Sequence, residues 1–191
     1  MELINTTYNM EKIVIKGFTV SQNGQDFIIG KAPIGEVLNY TMYTERLIIG
    51  YDEDEKPIYN KHVQRKVDAS RTRQIAKFLL NDKEAIFPTN IVLNIPVNII
   101  ESQEENDGII SITLVDNVAE QIEKAKREGS DKADIFVTII DGQHRVYGYA
   151  GSQYKDTNTI PVVAFDNMES QEQLKIFMDI NENQKSVNPS L

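Results

Sequence analysis

The stretch IFVTIIDGQHRVYGYA, residues Ile135–Ala150, decides the fold because it joins a buried strand to a helix. Its first six residues, Ile135–Ile140, are apolar or β-branched and predict a strand that is buried on both faces. The pair Asp141-Gly142 then ends the strand, and the apolar residues between positions 146 and 150 can pack one side of a helix. The residues Gln143–Arg145 therefore lie where a buried strand turns into a helix.

This strand-to-helix junction has the chemistry of an anion site, most plainly one for phosphate. A helix start offers free backbone N–H groups and the positive end of the helix dipole, and Gly142 lets a ligand approach the backbone closely. Arg145 adds a planar, permanent cation that suits phosphate or carboxylate. The same pattern also fits a tight structural turn in which Asp141 caps the helix and Arg145 pairs with a carboxylate. Both interpretations stay open from the residues alone.

Length and composition limit the class of protein. The 191 residues include 40% hydrophobic residues, which is enough for one substantial domain with a real core. The absence of cysteine excludes disulfides and cysteine-based metal or redox sites, and it makes a cytoplasmic location the expectation. No run of apolar residues predicts a membrane span, and the N-terminus does not have the pattern of a signal peptide. A net charge of −9 argues against nucleic-acid binding by the whole surface but permits a local basic patch.

The order of predicted elements favours an α/β or α+β fold with a mixed sheet and flanking helices. Residues 1–60 are predicted as a β-rich segment with two hairpins, packed on the same domain as the rest. Residues 61–191 alternate between strands and helices, and we expect this domain to continue beyond the end of the sequence. The segment Glu101–Gly108 is polar and acidic and is predicted as a loop.

A concentrated basic stretch precedes and opens a predicted helix. Asp68 or Ser70 can cap this helix, and Ile75, Phe78 and Leu79 form its apolar face. The stretch fits a solvated helix face, or a surface that binds the phosphates of DNA. The candidate DNA-binding residues are Lys61, Arg65, Lys66, Arg71 and Arg73.

Three blocks of the sequence carry a family resemblance: Gln64–Ile95, Ile139–Ala150, which contains the string DGQHR, and Ile160–Leu191. With these blocks the chain resembles the DGQHR-domain family of DndB-like proteins, which act in DNA sulfur modification (phosphorothioation). The resemblance implies DNA binding and regulation of DNA modification or defence.

The same block order is similar to the ParB/sulfiredoxin-like superfamily, in which a Gly-x-x-Arg turn contacts nucleotide phosphates. This chain has His144 where ParB proteins have a first arginine, and without cysteine it cannot perform sulfiredoxin chemistry. The resemblance implies a nucleotide or phosphate site made by Asp141, Gly142, Gln143, His144, Arg145, Asn183, Gln184 and Lys185.

Three functions remain open at this point. The first, which we favour, is a DNA-associated binding and regulatory protein that forms its own homo-oligomer or acts alone. The second is a nucleotide-dependent enzyme of the NTPase type, with Asp141 and His144 as catalytic candidates and a nucleotide with Mg²⁺ held by Asp141 or Glu182. The third is a non-catalytic interaction module in which the turn is a structural lock. No residue is assigned as the ligand of a metal ion that the protein would bind without a nucleotide.

Overall fold

A computed structural model describes residues 13–41, 48–51, 57–59, 68–82, 84–128 and 136–183. Its strands are β1 (Ile13–Gln22), β2 (Gln25–Pro33), β3 (Ile48–Tyr51), β4 (Pro57–Tyr59), β5 (Ile91–Ile95), β6 (Ile100–Asn106), β7 (Ile109–Leu114), β8 (Thr138–Asp141) and β9 (Thr159–Asp166). Its helices are α1 (Ile34–Tyr40), α2 (Ala69–Asn81), α3 (Val118–Glu128), α4 (Gln143–Gly148) and α5 (Ser170–Asn183), with a short 3₁₀ turn at Val97–Ile99.

Seven of these strands form one mixed sheet in the order β6-β7-β1-β2-β9-β5-β8, and β3 and β4 pair in a sheet of their own. Only β5 and β9 are parallel; the other neighbouring strands of the large sheet are antiparallel. The hairpin β1–β2 turns at Asn23-Gly24, where both residues have positive φ (51° and 78°), as the tight turn between twisted strands requires. The predicted mixed sheet with flanking helices is therefore confirmed.

The core lies where the central strands are covered by helices. All five residues of β5 are buried, and this strand lies between β9 and β8. In register across one face of the sheet lie Ile28 of β2, Ala164 of β9, Leu93 of β5 and Ile139 of β8, and all four are buried. The continuous apolar run of β5 is what a strand with covered faces needs. β5 consequently gives the neighbouring turn after β8 a rigid support.

Predictions for two polar stretches of the sequence compare differently with the structure. The predicted loop Glu101–Gly108 is wrong, because its residues belong mostly to β6, an edge strand that pairs with β7 and turns back at Asp107-Gly108. Five of the seven β6 residues are exposed, so the strand has no apolar alternation that a sequence pattern could detect. The second predicted hairpin is present as β3–β4, whereas its acidic tip lies outside the described residues. Among the described helices, none is long and apolar enough to span a membrane.

Candidate functional site

The DGQHR turn begins where β8 pairs with the start of β5. Asp141, the last residue of β8, lies in register with Val92. Gly142 follows with φ 96° and ψ 11°, and its carbonyl accepts hydrogen bonds from the backbone N–H of Arg145 (3.0 Å) and Val146 (3.2 Å). This left-handed conformation is one that glycine adopts without strain. The turn therefore lies directly over the N-terminal end of β5.

Arg145 joins this turn to the segment that precedes β5. Its Nη1 donates to the backbone carbonyl of Thr89 (2.6 Å) and to the Thr89 hydroxyl, and its Nη2 donates to Asp141 Oδ2 at 3.2 Å. The side chains of Arg145 and Asp141 are 17% and 27% exposed. A half-buried guanidinium held by three acceptors is rigid, because each charge-assisted hydrogen bond fixes its plane.

The electrostatic surroundings of Arg145 include a second arginine. Burial lowers the pKa of the Arg145 guanidinium below its ordinary value, Asp141 opposes this shift, and the positive charge of Arg71 adds to it. Arg71 is an exposed residue in the first turn of α2. Arg71 thus contributes to the electrostatic surroundings of Arg145 although the two residues are 74 positions apart in the sequence, one in the basic stretch and one in the DGQHR turn.

His144 connects the turn to the start of α2. Its Nε2 accepts a hydrogen bond from the backbone N–H of Asp68 at 3.0 Å. A ring nitrogen that accepts carries no proton, so the proton of the neutral ring is on Nδ1. In this arrangement Nε2 is the hydrogen-bond acceptor of the Asp68 N–H, and the catalytic role of His144 stays a prediction. Its observed contact holds α2 in place.

Asp68 caps α2, as the sequence predicts. Its Oδ1 accepts hydrogen bonds from the backbone N–H of Ser70 (2.7 Å) and Arg71 (3.3 Å). These two donors hold the pKa of the Asp68 carboxyl below its usual range. The cap therefore fixes the backbone of the same residue, Arg71, that lies near Arg145.

We expect replacement of this cap, Asp68→Ala, to lower the melting temperature at neutral pH. Since the pKa of Asp68 is lowered in the folded state, its stabilisation is present above the unfolded value of about 3.9 and disappears as the pH falls through the folded value. The two melting curves should therefore converge in acid. Thermal unfolding followed by circular dichroism from pH 7 downward measures this difference. The control Glu105→Ala, which removes an exposed carboxylate on β6, should have the melting temperature of the wild type at pH 7. A difference between Asp68→Ala and the wild type that stays constant at all pH values would contradict the role of the Asp68 carboxylate.

Close packing of α4 on α2 completes the site. A Cβ atom on Gly148 would lie 2.3 Å from Ile75 Cγ2, so only glycine permits this approach. Three aromatic rings extend this contact towards the surface. The ring centroids of Tyr149 and Phe87 are 5.9 Å apart, and those of Phe87 and Phe78 of α2 are 5.7 Å apart. Both pairs are edge-to-face. The turn, α2 and the segment before β5 thus form one packed unit.

The structure also shows where several other predicted site residues lie. Asp141 does not cap α4, because Gly142 is the N-cap residue and no side chain makes a capping hydrogen bond. Gln143 donates from Nε2 to the carbonyl of Ile139 (3.3 Å), within its own strand and helix. Arg73 is exposed on α2 and Asn183 ends α5. Outside the described residues lie Lys61, Arg65, Lys66, Gln184 and Lys185.

Sequence reasoning does not identify Thr89 as part of the site. The residue precedes a buried strand next to a proline, which is a weak signal of a fixed turn. Only the fold brings it to Arg145, 56 positions later. Asp141, one of the two residues proposed to hold Mg²⁺, is paired with Arg145. In the part of the chain that the structure describes, no three acidic or histidine side chains are grouped to hold a metal ion.

The sequence of the chain matches the model of a known protein family. The sequence model of the family DndB, described as DNA-sulfur modification-associated, matches residues 15–191. The chain belongs to this family. The match includes β1, β2 and the DGQHR turn, and it places the protein among those involved in DNA sulfur modification. No curated protein and no solved structure matches significantly. The further likeness to the ParB/sulfiredoxin-like superfamily stays a prediction.

Proposed function

We propose that this DndB-family protein binds DNA through the basic N-terminal part of α2 beside the DGQHR turn. This binding would regulate DNA modification or defence in the cytoplasm. The family description supports a process that acts on DNA. The observation that carries the proposal is the hydrogen bond from the backbone N–H of Asp68 to His144 Nε2 (3.0 Å), which joins the start of α2, with its exposed Arg71, to the DGQHR turn. Positive charge from Arg71 and Arg145 in this region favours an anion there.

The charge distribution on α2 supports the same surface. Arg71, Arg73 and Lys77 are all exposed, the first turn of α2 contains no acidic residue, and the carboxylate of the N-cap residue Asp68 accepts two backbone N–H groups. In a chain with net charge −9, such a cluster attracts phosphates locally while the remaining surface repels them. Binding of this kind depends steeply on salt, since each phosphate contact releases counterions.

The test is a DNA titration of the chain at several salt concentrations, followed by fluorescence anisotropy. We expect Arg71→Ala to weaken binding about tenfold and to reduce the slope of log affinity against log salt by about one. The matched control Lys175→Ala removes an exposed cation from another helix, α5, and should leave both quantities unchanged. DNA binding that is absent at low salt, or equal losses in the two variants, would contradict the proposal.

A second candidate is that the DGQHR turn is only a structural lock in a non-catalytic interaction module. The contacts of Arg145 with Thr89 and Asp141 favour this alternative, because they use the guanidinium for internal hydrogen bonds. The two candidates differ in what Arg145 contributes beyond stability. Variants of Arg145 therefore separate them.

A further inference from the structure

Helix α2 carries two exposed stripes with different chemistry. Residues three and four apart are neighbours on a helix surface, so Arg71, Gln74 and Phe78 form one line. A second line on another side contains Arg73, Lys77 and Leu80. Each line has exposed polar residues and one exposed large apolar residue, with Phe78 41% and Leu80 75% exposed. Only the first line begins at Arg71 in the first turn of α2, whose N-cap residue Asp68 donates its backbone N–H to His144 of the DGQHR turn.

Phe78 is an anchored aromatic ring with an accessible surface. It is the outermost of three rings, since Tyr149 is 4% exposed and Phe87 is half-buried between them. The planes of Phe78 and Phe87 make an angle of 65°, so the contact does not cover both faces of the Phe78 ring. A ring that is already held in place loses little conformational entropy when a flat ligand stacks on it.

The distance along α2 fits a ligand with an anionic and an aromatic part. Seven residues separate Arg71 from Phe78, which corresponds to about 10 Å along the helix axis. Gln74 lies between them and is exposed, with one amide donor group and one acceptor. A cation, an amide and an aromatic ring in a row match the phosphate, base edge and base face of a nucleotide.

We propose that the stripe Arg71–Gln74–Phe78 binds a nucleotide unit whose base is unstacked. Arg71 contacts the phosphate, Gln74 contacts the base edge, and the base stacks on Phe78. This inference rests on the proposed function and specifies it: the DNA is single-stranded or has a base turned out, because a regular duplex keeps its base faces covered. A free nucleotide offers the same chemistry, and the experiment separates the two sources.

The absence of tryptophan from the chain makes the test direct. The variant Phe78→Trp places the only indole of the protein in the stripe, and Leu80→Trp places one on the other side of the same helix. Each is titrated with oligothymidylate, with a duplex of equal length and with the free nucleotide thymidine monophosphate, while anisotropy records binding separately. We expect oligothymidylate to quench the fluorescence of Phe78→Trp strongly at saturation and to leave that of Leu80→Trp nearly unchanged.

Loss of the aromatic ring is the second arm of the experiment. Base stacking contributes enough that Phe78→Leu should weaken binding of the single strand about tenfold. Leucine keeps an apolar contact with Phe87, so this variant tests stacking without emptying the site. The duplex, which contacts phosphate-binding residues only, should bind Phe78→Leu and wild type equally.

The outcomes distinguish this inference from the proposed function. If DNA binds but Phe78→Trp is not quenched, or if both tryptophan variants are quenched equally, stacking on Phe78 is wrong and the DNA-binding function stands. Quenching of Phe78→Trp by the free nucleotide, without binding of any DNA, would support the nucleotide site and overturn the DNA-binding function. If neither DNA nor nucleotide binds, both proposals are wrong.

Discussion

The variant Gly142→Ala should lower the free energy of unfolding by about 2–5 kcal/mol, because two penalties combine at this position. Gly142 has φ 96°, where an L side chain is strained. An added Cβ would also lie 2.6 Å from Ile91 Cγ2, and Ile91 is fully buried in β5. The isoleucine has no free space into which it can move, so the turn itself would have to lift from the strand.

Another glycine of this chain separates the two penalties. Gly24 has a similar conformation, φ 78°, but an added Cβ there would have no heavy atom within 4 Å. Gly24→Ala should therefore cost only the backbone penalty of about 1–2 kcal/mol. Urea unfolding of both variants, followed by circular dichroism, measures the comparison. Equal losses in the two variants would mean that the contact between the turn and β5 contributes nothing.

The local features of the site could be predicted from sequence because short-range physics determines them. Asp68 caps α2 with backbone N–H groups only two and three residues away. The strand before Asp141 and the turn at Gly142 follow equally from a run of β-branched residues that ends at a glycine. In each case the decisive contacts lie within a few residues, so the pattern contains the information.

The long-range features of the site could not be predicted in this way. Thr89 meets Arg145 and Asp68 meets His144 because β8 pairs with β5 and α4 packs on α2. Both contacts depend on how strands and helices are arranged in space. Local sequence patterns do not reveal that arrangement. The alternative interpretation as a tight structural turn is wrong about the cap but right about the ion pair: Gly142 is the N-cap residue of α4, and Arg145 pairs with the carboxylate of Asp141 four residues before it.

Through these contacts, residues of the DGQHR turn hold it against other segments of the chain. Gly142 allows the turn to lie on β5, His144 holds the start of α2, and Arg145 ties the turn to Thr89. Each contact reaches a different segment of the chain. The His144 contact reaches the start of α2, where Arg71 is located. Substitutions in this turn are therefore expected to lower stability.

The variant Arg145→Ala should lower the free energy of unfolding by about 2–4 kcal/mol, since it removes charge-assisted hydrogen bonds from a half-buried group. It also leaves Asp141, 27% exposed, without its ion-pair partner. Arg145→Lys keeps the charge but cannot bridge Thr89 and Asp141 with one ammonium group, so it should lose about half as much. Urea unfolding measures both. Arg73→Ala, an exposed arginine on α2, should stay within about 0.5 kcal/mol of wild type.

The same variants decide whether Arg145 also acts on DNA. Anisotropy titrations are compared at a temperature at which circular dichroism shows every variant to be folded. If Arg145 only locks the structure, the folded Arg145→Ala protein binds DNA as the wild type does, and the lysine variant gives no additional information. If its charge reinforces Arg71, Arg145→Ala loses affinity and reduces the salt slope, whereas Arg145→Lys keeps most of both despite its lower stability. Because stability and affinity then change in different proportions in the two variants, the structural role and the DNA-binding role of one guanidinium can be measured separately.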